Sequence, residues 1–466
     1  MLHGRFFRKI AELRDQHRKA PGLPFTEAVS ESRLQGLLDE LKVVYRERIY
    51  TPCTTLWMFL AQVLHDDQSC NAAVARLIAY RVAQGKPACS ADNSSYCQAR
   101  QRLPEALVKR LVRDTGAEVH GQAPASWHAH GRPVKIVDGS TASMPDTPEN
   151  SAAFGKPRNQ RGSSGFPLAR IVVLLCLATG AVLEAAIGPY RGKSSGELSL
   201  FRGMQDPFTP GDILLGDRLF CSYADIARLK GKGVDVVFRL HASRRADFRR
   251  GRRLGRDDHV VIWKKPRCRP DWLSAEEFAA LPDELRLREV RVRVAKPGCR
   301  VKTLVVVTTV TDPEQFSRDD IAELYRQRWQ AELDLRSIKA VMHMDVLRCE
   351  TPDMVRKEIG MHLLAYNLLR SVMCAAAEEH EVRVRELSFK GTEQLLEAFY
   401  LLLVCAPVEH LEALCTMLLK ATTQHRVGNR PDRYEPRKRK RAAKPYARLK
   451  GSREEERKLC ARNRLN

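Results

Sequence analysis

A chain of 466 residues is longer than a usual single domain, so it can bury a large core and divide into two or three domains, and a small stapled fold is excluded. Its 79 Lys and Arg against 56 Asp and Glu leave a formal charge of +23 spread over several separated stretches. That points to a polyanionic partner, nucleic acid before an anionic membrane surface. The longest apolar run, Ile171 to Leu183, is shorter than the ~18 to 20 residues that span a bilayer and is broken by Thr179-Gly180. The basic N-terminus lacks an apolar core of signal length, so neither a membrane span nor export is expected. The 13 cysteines include no Cys-x-x-Cys pair and are expected as reduced thiols of a cytoplasmic, cytosolic protein.

Residues 1–125 read as helical, with apolar positions at helical spacing in Leu56-Trp57, Leu60, Val63-Leu64 and in Leu103, Leu107, Leu111. A bundle this basic suits a helix-turn-helix grip on DNA and equally a plain structural bundle. The character changes at Val134 to Val137, a short strand candidate followed by a loop from Ser140 to Pro167. Strands over Ile171 to Leu177 and Val182 to Ile187, a helix over Glu197 to Met204, a strand at Ile213 to Leu215, a helix over Tyr223 to Lys230 and a strand over Val234 to Leu240 make an α/β layout. From Ala242 to about residue 302 the alternation fades and the chain turns densely basic (Arg244-Arg245, Arg249-Arg250-Gly251-Arg252-Arg253). This is expected as an insertion, β-rich around Val260 to Trp263 and Val290 to Val294. Thr303 to Val310 restores a core strand, helices fill Asp319 to about Lys420, and Arg437 to Arg441 lies in a basic tail.

Three carboxylates stand out. Asp138 follows the strand Val134 to Val137, where a sheet projects a carboxylate toward a ligand, although a turn Asp before Gly139 explains it as well. Asp217 stands in the same relation to Ile213 to Leu215, with a helix N-cap or an ion pair to Arg218 as the plain alternative, whereas Asp212 belongs at the opposite end of the sheet. The helix from Asp319 to Val341 carries Tyr325, Arg328, Glu332 and Lys339. At ~100° per residue the last three fall at roughly −60°, −20° and −40° from Tyr325, on one stripe. Read plainly, this is a solvated helix with a Glu332–Arg336 pair. Asp334 falls on the opposite face, toward solvent or a neighbouring element, where Asp334→Asn is expected to cost within about 0.5 kcal/mol. Trp329 is expected to pack inward. Two strand-end aspartates and a helical glutamate are the donor set that holds Mg²⁺ (Mn²⁺ as substitute) for nucleophile activation at a phosphodiester, and Tyr325, Arg328 and Lys339 would contact the DNA phosphates.

The spacing Tyr325-x2-Arg328-x3-Glu332-x6-Lys339 resembles the signature of the insertion-sequence-4 family of bacterial DDE transposases, as do Leu324 to Trp329, Met344 to Cys349 and Leu364 to Arg370. The resemblance covers roughly residues 50–450 and implies a ribonuclease-H-like α/β catalytic core with a β-rich insertion, flanked by N- and C-terminal helical regions. It implies Asp138, Asp217 and Glu332 as the catalytic metal ligands. It further implies metal-dependent cleavage and strand transfer at the terminal inverted repeats of an element and at target DNA, by a homodimer, in the bacterial cytoplasm. The domains are expected as a helical region suited to DNA binding (1–125), the catalytic domain (130–370, insertion about 242–302), a helical region (371–425) and the basic tail (426–466). Members of such families use a Trp to stack on a flipped base; Trp263 and Trp272 lie in the insertion, where a buried role serves either. His128 and His130 have no downstream ligand partners and are expected in an exposed loop. A structure-specific nuclease and a DNA-binding protein that no longer cuts are the rival readings.

Overall fold

A computed structural model describes residues 30–463 apart from 84, 160–161, 164, 193–194, 294–302, 406–407 and 429–452. The expected tail at Arg437 to Arg441 lies outside the described residues.

The first helices are α1 (Glu31–Glu40), α2 (Pro52–Leu64), α3 (Cys70–Ala83), α4 (Ser94–Arg102) and α5 (Glu105–Gly121). Sequence sets their starts: the Ser30 and Thr51 side chains accept the Arg33 and Thr54 amides, and Pro52 occupies the first turn of α2, where its missing N–H costs nothing. Every residue of α2 from Thr54 to Val63 is buried, so this helix is core and offers no face to DNA.

The strands are β1 (Val134–Ser143), β2 (Arg158–Asn159), β3 (Gly162–Ser163), β4 (Leu168–Cys176), β5 (Val182–Pro189), β6 (Ile213–Gly216), β7 (Asp235–Arg239), β8 (Arg252–Gly255), β9 (Asp258–Lys264), β10 (Glu284–Arg293) and β11 (Thr303–Thr308). Nine of them form one sheet in the order β5-β4-β1-β6-β7-β11-β10-β9-β8, with β2 and β3 as a separate ribbon. The β1–β6 and β6–β7 pairs are parallel and the other pairs of the large sheet antiparallel. The strands of the basic segment join that sheet through β11 and so lengthen it rather than forming a body of their own. β1 runs further than its apolar start suggests, because Asp138 to Ser143 pair with Leu168 to Val173 of β4. What reads as a loop after it also holds α6 (Pro148–Phe154).

The later helices are α7 (Glu197–Arg202), α8 (Tyr223–Gly231), α9 (Ala275–Ala279), α10 (Arg318–Arg326), α11 (Trp329–Arg336), α12 (Pro352–Glu379), α13 (Phe389–Cys405), α14 (Val408–Gln424) and α15 (Arg453–Asn463). α12 is long and apolar enough to cross a membrane, but 89% of its most apolar stretch is buried inside the protein, as in a core helix. Asn367 in the middle of α12 ties the layers together: its amide donates to the Val112 and Val182 carbonyls and its oxygen accepts the Val182 amide. α5 also lies tightly on β5, since a Cβ on Gly116 would overlap the Val182 carbonyl. One core fills the space between the sheet and α2, α5, α10, α11 and α12 (Val134, Ile136, Leu215, Tyr325, Ala331, Leu335, Leu364), and a second lies on the other face with α7 and α8 (Val137, Leu214, Phe201, Ile226). The eleven cysteines described as free include buried Cys176, Cys221, Cys349, Cys374 and Cys415.

Candidate active site

Alternation along the strands decides where the aspartates point. In β1, Val134 and Ile136 face the larger core and Val137 the other, so Asp138 shares the face of Ile136. In β6, Ile213 and Leu215 take that same face, and Asp217 follows two residues on. The parallel register pairs Ile136 with Leu215, so two residues further along Asp138 stands level with Asp217. α10 and α11 pack over this face through Ile321, Leu324, Tyr325, Ala331 and Leu335 and bring Glu332 to it.

Asp138 lies inside β1 rather than after it, and its side chain is 18% exposed. Burial pushes its carboxyl up to about 6; the Gly139 amide and Arg328 pull it down, and the charges of Asp217 and Glu332 raise it further. Asp217 caps a 3₁₀ turn, Arg218–Phe220, by accepting the Leu219 amide at 2.7 Å. The capping alternative is therefore realised beside its place on the sheet, while Arg218 points to solvent. Arg328 bridges the site, donating to Glu332 at 2.8 Å and to Asp138 at 3.5 Å. Burial works against that charge, but Tyr325, Glu332 and Asp138 outweigh it and hold the guanidinium protonated. Tyr325 is buried, which pushes its hydroxyl up to about 12, while the nearby charges of Arg328 and Arg239 pull it down and that of Asp217 adds to the rise.

Several sequence expectations require correction. Asp319 to Val341 is not one helix: α10 ends at Arg326, α11 begins at Trp329, and a π-type turn, Ser337–Val341, carries Lys339. Lys339 is half-buried on that turn, without a side-chain partner among the described residues. Glu332 pairs with Arg328 and not with Arg336. Trp329 is 58% exposed, because the sites on α11 that face the core are filled by Ala331 and Leu335. Asp334 does lie away from Glu332, but it is 1% exposed and ion-paired with Arg370 and Arg385, so its replacement is no surface substitution.

Outside this cluster, His130 is exposed against Phe316 and Asp320, while His128 is half-buried beside His120. Asp212 pairs with buried Lys135 at the far end of the sheet. Trp263 is buried, donating to Glu289 at 3.1 Å beneath the Arg244 guanidinium, and Trp272 lies under Arg202 at 3.6 Å. Sequence reasoning missed Arg239. It ends β7, and since Gly216 pairs with Phe238 it stands beside Asp217. Its place in the strand run Val234 to Leu240 hid it.

The donor chemistry suits a hard divalent cation: the Asp138 carboxyl is raised by burial and then by the charges of Asp217 and Glu332, so a cation among these acids would relieve it. Among the described residues no three His, Cys, Asp or Glu side chains stand close enough to hold an ion as placed, and Arg328 supplies the positive charge between two of the acids.

An α/β fold with three acids gathered on one sheet face defines the class, and comparison with known proteins places the chain within it. Residues 129–368 match the model of the transposase DDE domain. The chain belongs to that family, and is IS4-like within it. It is 29% identical over 290 residues to the Escherichia coli K12 transposase InsG for insertion sequence element IS4, covering 61% of this chain and 62% of that protein. The putative transposase InsZ of the same organism is 30% identical over 150 residues, 32% of this chain and 49% of InsZ. The chain thus spans less than two thirds of the length of these relatives. A piggyBac transposase synaptic complex with hairpin DNA aligns over 87% of this chain and 85% of that one, at 11% identity and a TM-score of 0.44, too loose to carry an argument.

Proposed function

We propose that the protein is a DNA transposase that cuts the ends of its insertion sequence and joins them to target DNA. The observation that carries this reading is the gathering of Asp138, Asp217 and Glu332 on one sheet face in a chain of the DDE family. Asp138, Asp217 and Glu332 are the residues that would hold Mg²⁺, or Mn²⁺ in its place, and the bound ions would activate the attacking oxygen and stabilise the leaving one. Arg328 and the Tyr325 hydroxyl lie beside the acids, suited to orienting a phosphate, with Arg328 exchanging carboxylates for phosphate oxygens by the same fork. Lys339 would add a point charge to the DNA backbone. The order β5-β4-β1-β6-β7 supports a ribonuclease-H-like core within residues 130–370, interrupted at about 242–302 by the basic segment, whose Arg245, Arg249, Arg252 and Arg253 are exposed. In the N-terminal region a groove of about 860 Å³ presents Arg46, Arg48 and Arg102, in keeping with DNA contact there. The remaining helical region (371–425) and the tail (426–466) complete the division, and the protein would act as a homodimer on the terminal repeats, in the bacterial cytoplasm.

The test incubates the purified protein with a plasmid carrying the element's own ends, with Mg²⁺ or with EDTA. Cleavage followed by strand transfer only with metal supports the reading. Cleavage without joining would favour a nuclease, end binding with no cutting a DNA-binding protein, and cutting in excess EDTA would exclude the metal chemistry.

A further inference from the structure

We infer that Arg370 and Arg385, both C-terminal to the residues matched by the DDE model, are positioning residues for Glu332, acting through Asp334. This rests on the transposase reading for its effect on cleavage, though not for its effect on the helix. α11 is only eight residues long, has no side-chain cap at its start and is followed directly by the π-type turn. Its own hydrogen bonds therefore fix its rotation weakly. Asp334 supplies the fix: its buried carboxylate accepts from Arg370 on α12 and from Nη1 of Arg385 at 2.7 and 2.8 Å. The same Arg385 guanidinium donates Nε to the Leu177 carbonyl at 2.7 Å and Nη2 to the Cys176 carbonyl at 3.0 Å. Cys176 pairs with Lys135 of β1, three residues from Asp138. One side chain thus joins the helix that carries Glu332 to the strand beside the one that carries Asp138.

Arg370 makes the second tie. Its Nε donates to the Tyr366 hydroxyl at 2.8 Å, and that hydroxyl donates to the Gly180 carbonyl at 3.0 Å. The turn between β4 and β5 is shaped around both guanidiniums: Gly180 has φ +81, and a Cβ there would lie 2.8 Å from Arg370 Cζ and 3.0 Å from Arg385 Nη1. Asp334 and Glu332 are two residues apart on α11, so whatever holds one direction of the helix sets the other. Arg385 is the informative residue to change, because its loss leaves Asp334 still paired with Arg370, whereas loss of Asp334 leaves the buried guanidinium of Arg370 and the half-buried one of Arg385 without their shared acid.

The experiment compares wild type, Arg385→Ala and Arg385→Lys. Lysine keeps the charge but, as a compact ammonium, lacks the planar fork that reaches the carboxylate and both carbonyls from separate nitrogens. In metal-free protein, hydrogen exchange should quicken at the α11 amides of Arg385→Ala while those of α12 keep their protection. End binding and the melting transition should persist. Single-turnover cleavage should fall by roughly 100-fold, as a misplaced reacting group implies, and the Mg²⁺ concentration needed for half the maximal rate should rise, with Arg385→Lys intermediate in all three. Wild-type exchange and wild-type cleavage in folded Arg385→Ala would overturn the inference, as would loss of protection spread evenly over α11 and α12. If Arg385→Ala does not fold, Arg385→Lys decides: unchanged α11 exchange and metal dependence would refute the positioning role. A wild-type protein that never cuts would defeat the transposase reading while leaving the exchange comparison intact.

Discussion

Replacing Asp138 by Asn should make the metal-free protein more stable at pH 8 while abolishing cleavage. The folded protein raises this carboxyl from its ordinary 3.8 to about 6, chiefly by burial, with Asp217 and Glu332 adding to the rise. A carboxyl whose folded pKa lies above its unfolded value holds its proton more tightly when folded. Its favourable contribution is complete below about 3.8 and is lost as pH rises through about 6. At roughly 1.4 kcal/mol for each pH unit of difference, the ionised Asp138 costs the folded state about 3 kcal/mol at pH 8. The side chain is only 18% exposed, so solvent screens little of this. Asparagine keeps the shape and the acceptor for the Gly139 amide without the charge. The assay is the urea midpoint of wild type and Asp138→Asn in EDTA at pH 8 and pH 5. The variant should be the more stable at pH 8, the gap should shrink toward pH 5, and added Mg²⁺ should stabilise wild type more than the variant. A variant less stable than wild type at pH 8, or a gap that ignores pH, would refute the reasoning.

Glu332→Gln retains an oxygen for Arg328 but loses its charge, so end binding measured by gel shift should persist while single-turnover cleavage drops by orders of magnitude. Gly116→Ala drives a methyl into the Val182 backbone, and since neither α5 nor β5 can yield, the variant should lose about 1–3 kcal/mol or more in a denaturant titration with no effect specific to cleavage. Buried His362 is pushed down to about 3 by burial, with a small addition from His343. The unfolded chain therefore binds the proton first, and this residue's contribution to stability should fall as pH drops below about 6.5, by about 2 kcal/mol at pH 5. His362→Leu should flatten that slope, and an unaltered slope would show that other groups govern the acid response.

Much of the sheet was legible because β-periodicity is local: Ile171 to Leu177, Val182 to Ile187 and Ile213 to Leu215 lie within the observed β4, β5 and β6 apart from Leu177, one residue beyond the end of β4. Asp138 and Asp217 could be singled out for the same reason, since each follows a short apolar run on one strand face. The helical phase also separated Glu332 from Asp334 correctly. Phase says which side a residue faces, however, and not what waits there. The partners of Asp334 stand 36 and 51 residues further along, in Arg370 and Arg385, and no local pattern announces them. Asp334 is buried between the buried guanidinium of Arg370 and the half-buried one of Arg385, and removing the shared acid of such a group typically costs about 3–5 kcal/mol. The surface expectation for Asp334 therefore failed on tertiary context. Trp329 failed in the opposite sense, because an aromatic beside a charged stripe reads as core whereas small Ala331 already fills the inward position.

The break in the signature helix explains how a motif spaced for one continuous helix works on an interrupted one. No Gly or Pro marks the junction at Gln327 and Arg328, yet the hydrogen bonds there shorten to three-residue closures: the Arg328 amide to Tyr325, Gln330 to Gln327 and Ala331 to Arg328. Such a stretch advances roughly 120° per residue instead of ~100° and overwinds the chain between Tyr325 and Glu332. After α11 the closure lengthens, with the Met342 amide reaching back to Ser337, and this underwinds the turn that carries Lys339. The two departures act in opposite directions, so the stripe is bent rather than lost. The tight turn also places Arg328 at the junction itself, between α10 and α11, where its guanidinium can meet Glu332 on α11 and Asp138 across the sheet. A straight helix would keep the spacing but would aim Arg328 and Glu332 by ladder geometry alone, whereas the interrupted one leaves their direction to Asp334 and its two arginines.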